Sequence, residues 1–277
     1  NRGLNDTTFH NDGRIFSVVG GNLVVEDSSE AKSGTLTGGA TASGKENKGT
    51  DGGAILVTSG TATLNSGTIT GNRARSGSAV GIVGTGHFIM NGGFIKGNTT
   101  TLGTIGSYSK LTMAGGVISD NKGYGVFLDY WSVTNMTGGS IINNTDNGLA
   151  ACGPDILNLS NATISNNGGS GIRVTQDVIN GVPNKVINLN ITNCTITGNA
   201  VYGIYVLRTT HVNFSGAVKV SNNAGGNLVF SHNYASTYKT IAYVTGKLTA
   251  GTYIGITGYS SDPLAQPVIS GYTSSGN

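Results

Sequence analysis

The chain has 277 residues, of which 46 are glycine and 4 are proline, and only 10% are Asp, Glu, Lys or Arg. Glycine at more than twice its usual share of about 7%, beside many Asn, Thr, Ser, Val and Ile residues, excludes a helical bundle. The lack of a three-residue glycine period excludes collagen. A formal net charge of +3 with 37% hydrophobic residues argues against disorder and against nucleic-acid binding. The composition therefore indicates an all-β protein with frequent turns and a polar, weakly charged surface.

Residues 1–50 show no regular repeat, and we expect them to form an N-terminal capping segment with an irregular first coil. From residue 51 to residue 238 the chain repeats. The pattern Ile-x-x-Asn, with Val in the last copy, places its asparagine at Asn72, Asn98, Asn121, Asn144, Asn167, Asn199 and Asn223. Successive asparagines are 26, 23, 23, 23, 32 and 24 residues apart, which indicates a repeat of about 23 residues with insertions.

Apolar residues keep their place within each repeat. Eight residues before the asparagine stand Leu64, Met90, Met113, Met136, Leu159 and Ile191. About 18 and 16 residues before it stand the pairs Ala54/Leu56, Val80/Ile82, Gly103/Ile105, Val126/Leu128, Leu149/Ala151, Ile204/Val206 and Leu228/Phe230, which we expect to face inward. Each repeat thus holds about three short strands, and only stacked copies can bury their apolar sides. The sequence predicts one parallel β-helix of about eight to nine coils, closed by a C-terminal β segment over residues 239–277.

The repeat asparagines form either a functional polar stripe or a structural ladder, and we expect the ladder. Asparagine tolerates left-handed backbone at turns, and stacked amides hydrogen-bond from coil to coil. Nine extra residues before Asn199 fit residues 176–184, which we expect to leave the coil as a loop.

The outward positions of the first strand carry the best candidates for ligand binding. Seventeen residues before the asparagine, allowing for insertions, stand Ile55, Gly81, Thr104, Phe127, Ala150, Arg173, Tyr205 and Val229. We expect Phe127, Arg173 and Tyr205, with Asp129 two residues beyond Phe127, to form a shallow binding face. The alternative is that this outward ladder only stabilises the sheet.

An enzyme on such a solenoid needs clustered acids, and the chain has only 13 Asp and Glu residues with no Asp-Asp pair. The best catalytic candidates are Asp129, Asp155 and Asp177 together with Arg173, with the three acids transferring protons and Arg173 on the face that holds the substrate. The four histidines have no metal-ligand spacing, so we predict neither a metal nor a cofactor. The longest apolar runs, such as residues 125–128, are too short to cross a bilayer, so we predict no membrane insertion.

The stretch Gly52-Gly53-Ala54-Ile55 and the Ile-x-x-Asn series resemble the right-handed, pectate-lyase-like β-helix repeats of large bacterial cell-surface proteins. They are also similar to the GGA[ILV] and FxxN repeats of autotransported polymorphic outer-membrane proteins, with Ile in place of Phe. The segment over residues 246–257 is similar to the ends of such modules in adhesin-like proteins. The resemblance covers residues 34–277 and implies a right-handed parallel β-helix that is secreted or exposed at the cell surface.

From these observations we expect a non-enzymatic, adhesin-like module that serves as a stalk or presents an outward face to carbohydrate or a host-surface protein. Because the chain begins with Asn1 rather than Met, we expect the same polypeptide to continue at one or both ends. The alternative function is a carbohydrate-active enzyme, either a polysaccharide lyase or a glycoside hydrolase, since both occur on this solenoid.

Overall fold

The computed structural model describes residues 13–31, 33–41, 51–153, 156–175, 178–179, 182–183, 186–207, 210–231, 241–259 and 268–270. Regular structure in these residues is entirely β. In chain order the strands are β1 (Phe16–Val25), β2 (Thr35–Leu36), β3 (Ile55–Leu64), β4 (Thr68–Thr70), β5 (Val80–Ile82), β6 (His87–Met90), β7 (Phe94–Lys96), β8 (Thr99–Ser107), β9 (Lys110–Met113), β10 (Val117–Ser119), β11 (Lys122–Leu128), β12 (Val133–Met136), β13 (Ser140–Ile142), β14 (Leu149–Cys152), β15 (Ile156–Ser160), β16 (Thr163–Ser165), β17 (Ile172–Thr175), β18 (Val178–Ile179), β19 (Val182–Pro183), β20 (Ile187–Thr192), β21 (Thr195–Thr197), β22 (Tyr202–Leu207), β23 (Thr210–Gly216), β24 (Lys219–Ser221), β25 (Gly226–Ser231), β26 (Ile241–Leu248), β27 (Tyr253–Ile254), β28 (Ile256–Tyr259) and β29 (Val268–Ser270).

These strands stack into three parallel faces around one core. Face 1 runs through the first halves of β1 and β3 and then β5, β8, β11, β14, β17, β22, β25 and β28. Face 2 runs through the second halves of β1 and β3 and then β6, β9, β12, β15, β20, β23, β26 and β29. Face 3 runs through β2, β4, β7, β10, β13, β16, β21, β24 and β27. This arrangement confirms the predicted all-β, parallel β-helix fold.

The register between coils follows the sequence repeat in the middle of the solenoid. Val126 pairs with Leu149 on face 1 and Ile118 pairs with Ile141 on face 3, and in both pairs the partners are 23 residues apart. After β15 the spacing changes, since Leu157 pairs with Leu189. Of the additional residues, the described strands β18 and β19 belong to none of the three faces and pair with each other in antiparallel orientation.

The inward side chains form continuous apolar stacks. On face 2 the methionines Met90, Met113 and Met136 lie directly above one another and are buried, which places them in the core. Face 3 contributes the buried stack Ile69, Ile95, Ile118, Ile141, Ile164, Ile196 and Val220. Burial of each such side chain contributes about 1.5–3 kcal/mol before the entropic cost of folding, so the stacked repeats supply the apolar core that one repeat lacks.

Two inward pairs on face 1 differ from the prediction. In β3 the inward residues are Ile55 and Val57 rather than Ala54 and Leu56, because β3 runs from face 1 to face 2 as one strand without a separate corner. In β8 the inward residues are Ile105 and Ser107, so Gly103 belongs to the earlier part of this strand, which pairs with Tyr124 before face 1 begins. Corner lengths vary there: Asn98 lies seven residues before Ile105, whereas Asn121 lies five before Val126. The following corner, between face 1 and face 2, is two residues shorter. The two differences cancel, so the repeat still has 23 residues and does not reveal that the strand of face 1 has moved.

The repeat asparagines form the predicted structural ladder along one buried corner. The Nδ2 of each donates to the Oδ1 of the next over 2.9–3.1 Å, from Asn72 through to Asn223. The residue before each asparagine has a positive φ of 55–68°. Those residues are Gly71, Gly97, Asp120, Asn143, Asn166, Gly198 and Asn222. Only glycine, asparagine and aspartate occupy this position because they adopt left-handed backbone at the lowest cost.

Candidate ligand-binding face

The predicted binding residues lie on the outward side of face 1. Phe127 pairs with Ala150, Ala150 with Arg173, and Arg173 with Tyr205, so these residues form one outward column. Val229 continues the column beyond Tyr205. Phe127, Arg173 and Tyr205 are half-buried, whereas Ala150 is buried, which gives the column a shallow dip between its first ring and its arginine.

The same column was predicted to contain Ile55 and Thr104, and that was wrong. Both side chains are fully buried, and Leu56 and Gly106 take the outward positions instead. The cause is the variation in corner length in the first and third complete coils, which shifts the strand relative to its asparagine. In the coils that carry Phe127, Arg173 and Tyr205, the corner between the ladder asparagine and the strand of face 1 keeps the same length of five residues.

Asp129 lies just after β11, where face 1 turns toward face 2. Its Oδ1 accepts a hydrogen bond from the backbone N–H of Tyr130 over 2.9 Å. Its carboxylate also accepts a hydrogen bond from the side chain of Tyr108. Burial raises the pKa of Tyr108 well above its ordinary value, and the hydrogen bond and charge of Asp129 raise it further, while Arg75 opposes them. Tyr108 is therefore a neutral donor held against a carboxylate.

Two tyrosines that the prediction missed complete the aromatic surface. The Tyr124 ring lies 6.3 Å from the Phe127 ring between centroids. The Tyr202 ring stacks on the Tyr205 ring at 5.2 Å with planes 13° apart. Burial raises the pKa of Tyr124, Asp146 adds to the rise, and Arg173 counteracts it. A signal for both tyrosines was present, because Tyr-Gly-x-Phe at residues 124–127 recurs as Tyr-Gly-x-Tyr at residues 202–205.

We call this surface the aromatic face; its members are Tyr108, Tyr124, Phe127, Asp129, Arg173, Tyr202 and Tyr205. It combines ring faces with one guanidinium, one carboxylate and several hydroxyl groups on paired strands. Aromatic rings contact apolar C–H groups, and charged groups form the stronger hydrogen bonds to hydroxyls. The arrangement suits a ligand that alternates apolar ring faces with polar rims.

The proposed catalytic set is only partly described. Asp129 and Arg173 have described positions, whereas Asp155 and Asp177 lie outside the described residues, so their clustering stays a prediction. In the described ranges, no group of three or more His, Cys, Asp or Glu side chains is placed to hold a metal ion. Within the part of the chain that the structure describes, no helix is long and apolar enough to cross a membrane.

Comparison with known proteins identifies a family. A family model described as a right handed beta helix region matches residues 53–224, which is more than half of the chain. The match confirms the resemblance to right-handed β-helix repeats. No curated protein and no solved structure matches the chain. The comparisons therefore establish the fold family and identify no ligand.

Proposed function

Because the chain belongs to the right-handed β-helix family, we propose that it is a non-enzymatic module of a secreted or cell-surface, adhesin-like protein whose aromatic face binds carbohydrate. The observation that carries this proposal is the outward column of Phe127, Arg173 and Tyr205 on adjacent or near-adjacent strands of face 1. The surface location follows the resemblance to repeats of bacterial surface proteins and the weakly charged exterior.

The first support is rigidity. The strands of the aromatic face pair with a neighbour on both sides, and the buried asparagine ladder fixes the corner before each of them. The Tyr202 and Tyr205 rings are stacked on each other. A surface that is ordered beforehand loses little conformational entropy when it binds, which favours recognition of a flexible glycan chain.

The second support is chemical. A specific protein interface usually buries about 800 Å² on each partner around an apolar centre that is depleted in charge. The column instead offers half-buried rings beside Arg173 and Asp129. Ring faces for sugar C–H groups and charged hydrogen-bonding groups for sugar hydroxyls favour carbohydrate over a host protein.

A glycan array probed with the purified protein tests the proposal. We expect the protein to bind a limited set of glycans and the Arg173→Ala variant to lose that binding. Asn190→Ala serves as the matched control, because Asn190 points outward on face 2 and belongs to a different ladder of side-chain hydrogen bonds. Binding that Arg173→Ala leaves intact would contradict the proposal. So would release of reducing ends from a bound glycan that is lost in Asp129→Asn, since that result identifies an enzyme.

A further inference from the structure

The corner between β11 and β12 holds an unusual residue in an unusual conformation. The N–H of Ser132 donates to the carbonyl of Asp129 over 3.2 Å, which closes a four-residue turn. Trp131, the third residue of this turn, has a φ of 61°. Glycine or asparagine is favoured where a turn needs positive φ, and a bulky aromatic residue there is a rare outlier. The corresponding corner between β5 and β6 uses Gly84 for its positive φ.

Packing of the Trp131 side chain offsets little of this strain, because most of the side chain is exposed. Its side chain is 71% exposed, and it is the single tryptophan of the chain. Backbone strain of this kind persists where the surrounding structure holds it, and it concentrates at sites of function. Here the turn is held by the Ser132 hydrogen bond and by the Asp129 carboxylate, which accepts from the N–H of Tyr130. The strained backbone therefore displays an indole on the surface.

Tyr130 supports the indole on one side. The two rings lie 5.8 Å apart between centroids, with planes inclined by 52°. Tyr130 itself lies over the next coil at Gly153, where a Cβ atom would come within 2.9 Å of the ring. Asp129 links the pair to the aromatic face, because the same carboxylate that accepts from Tyr130 accepts from Tyr108. The two rings therefore extend the aromatic face at its border with face 2.

We propose that Trp131 and Tyr130 form a stacking platform for one pyranose ring of the glycan bound by the aromatic face. This inference rests on the proposed function, and it assigns to Trp131 the main contribution to the affinity for the glycan. Val133, two residues beyond Trp131, pairs with Ile156, which is 44% exposed. With these neighbours the apolar patch is only a few side chains wide, which suits a sugar ring and is far smaller than a protein interface. The adjacent Asp129 and Tyr108 supply acceptors and donors for hydroxyl groups at the edge of the ring.

The single tryptophan makes the test direct. Maltohexaose, cellohexaose and chitohexaose are titrated separately into the protein while the intrinsic tryptophan fluorescence is recorded. We expect at least one hexaose to shift the emission to shorter wavelength, because stacking removes the indole from water. No change of emission with any of the three sugars overturns the platform.

The Trp131→Gly variant separates a binding role from a structural one. Glycine relaxes the positive φ, so we expect thermal unfolding at the wild-type temperature or above. Binding of the same sugar, measured by calorimetry, is expected to fall about tenfold or more, while Trp131→Phe retains most of it. A lower unfolding temperature for Trp131→Gly assigns the indole to packing and overturns the proposal.

The glycan array distinguishes failure of the platform from failure of the proposed function. Array binding that Arg173→Ala abolishes and Trp131→Gly leaves intact keeps the aromatic face and overturns the platform. Array binding that Trp131→Gly abolishes and Arg173→Ala leaves intact supports the platform and overturns the role of the Arg173 column.

Discussion

Replacing Asn144 with leucine removes one member of the buried asparagine ladder. The Oδ1 of Asn144 accepts from both the backbone N–H and the Nδ2 of Asn121, over 3.2 and 2.9 Å. Its Nδ2 donates to Asn167 Oδ1 and to the carbonyls of Ile118 and Ile142. Leucine has a similar size and replaces none of these hydrogen bonds. The variant thus leaves two buried donors of Asn121 without the acceptor they share.

The magnitude follows from these two donors. A buried polar group that loses its partner costs about 1–3 kcal/mol, so two donors predict a loss of roughly 2–6 kcal/mol, reduced somewhat by the apolar leucine. We expect a decrease of about 3 kcal/mol in the free energy of unfolding. At about 2–4 °C per kcal/mol for chains of this size, the unfolding temperature should fall by roughly 6–12 °C.

Urea denaturation followed by circular dichroism measures this change, with the slope of the transition used to check that its cooperativity is unaltered. Asn158→Leu is the matched control. Asn158 belongs to an outward ladder on face 2, where it is half-buried and bonds to Asn135 and Asn190. Water replaces those partners, so we expect a loss below about 1 kcal/mol. Equal losses for the two variants, or no loss for Asn144→Leu, would refute the reasoning about the buried ladder.

Two further predictions concern packing and pH. Gly148→Ala should lower the free energy of unfolding in urea by about 1–3 kcal/mol, since the added Cβ would lie 2.8 Å from Asn167 Nδ2. Gly97→Asn is the control, because Gly97 has a left-handed backbone at a position where other coils carry asparagine. We expect it to change the free energy of unfolding by less than about 0.5 kcal/mol. Wild-type stability of Gly148→Ala would contradict this prediction, because the corner would then have room for the added methyl group. Because the pKa of Tyr108 is raised in the fold, its contribution is complete below about pH 10, the ordinary tyrosine value, and is lost as pH rises through the folded pKa. Unfolding free energies at pH 9, 10 and 11 should therefore decline less in Tyr108→Phe, and an identical decline would contradict the raised pKa of Tyr108 in the fold.

The repeat and its asparagine ladder were predictable because one corner geometry recurs in every coil. The ladder asparagine needs a left-handed residue before it, and the sequence supplies glycine, asparagine or aspartate there each time. The three methionines were predictable as core for the same reason, since their distance to that corner is constant. The outward positions of Phe127, Arg173 and Tyr205 followed from the constant spacing of five residues between the ladder asparagine and the first inward residue of face 1 in their coils.

Other features were hidden by the freedom of the remaining corners. Around Ile105 one corner is two residues longer than in the next coil and the following corner is two residues shorter, so the repeat length stays the same and gives no sign of the change. Tyr124 and Tyr202 share one position of the repeat, whereas Tyr108 lies at the corner between face 1 and face 2 and approaches Asp129 only in three dimensions. The positive φ of Trp131 has no sequence signal, because tryptophan is not a turn residue and the turn is closed by Asp129 and Ser132.

Isothermal titration calorimetry with a glycan that the wild-type protein binds on the array shows whether the outward column of face 1 binds carbohydrate. We expect Arg173→Ala and Tyr205→Ala each to abolish most of the binding heat. We expect Asn190→Ala, on the outward side of face 2, to bind as the wild-type protein does. Full binding by the first two variants, with loss of binding in Asn190→Ala, would place recognition on face 2 instead of face 1.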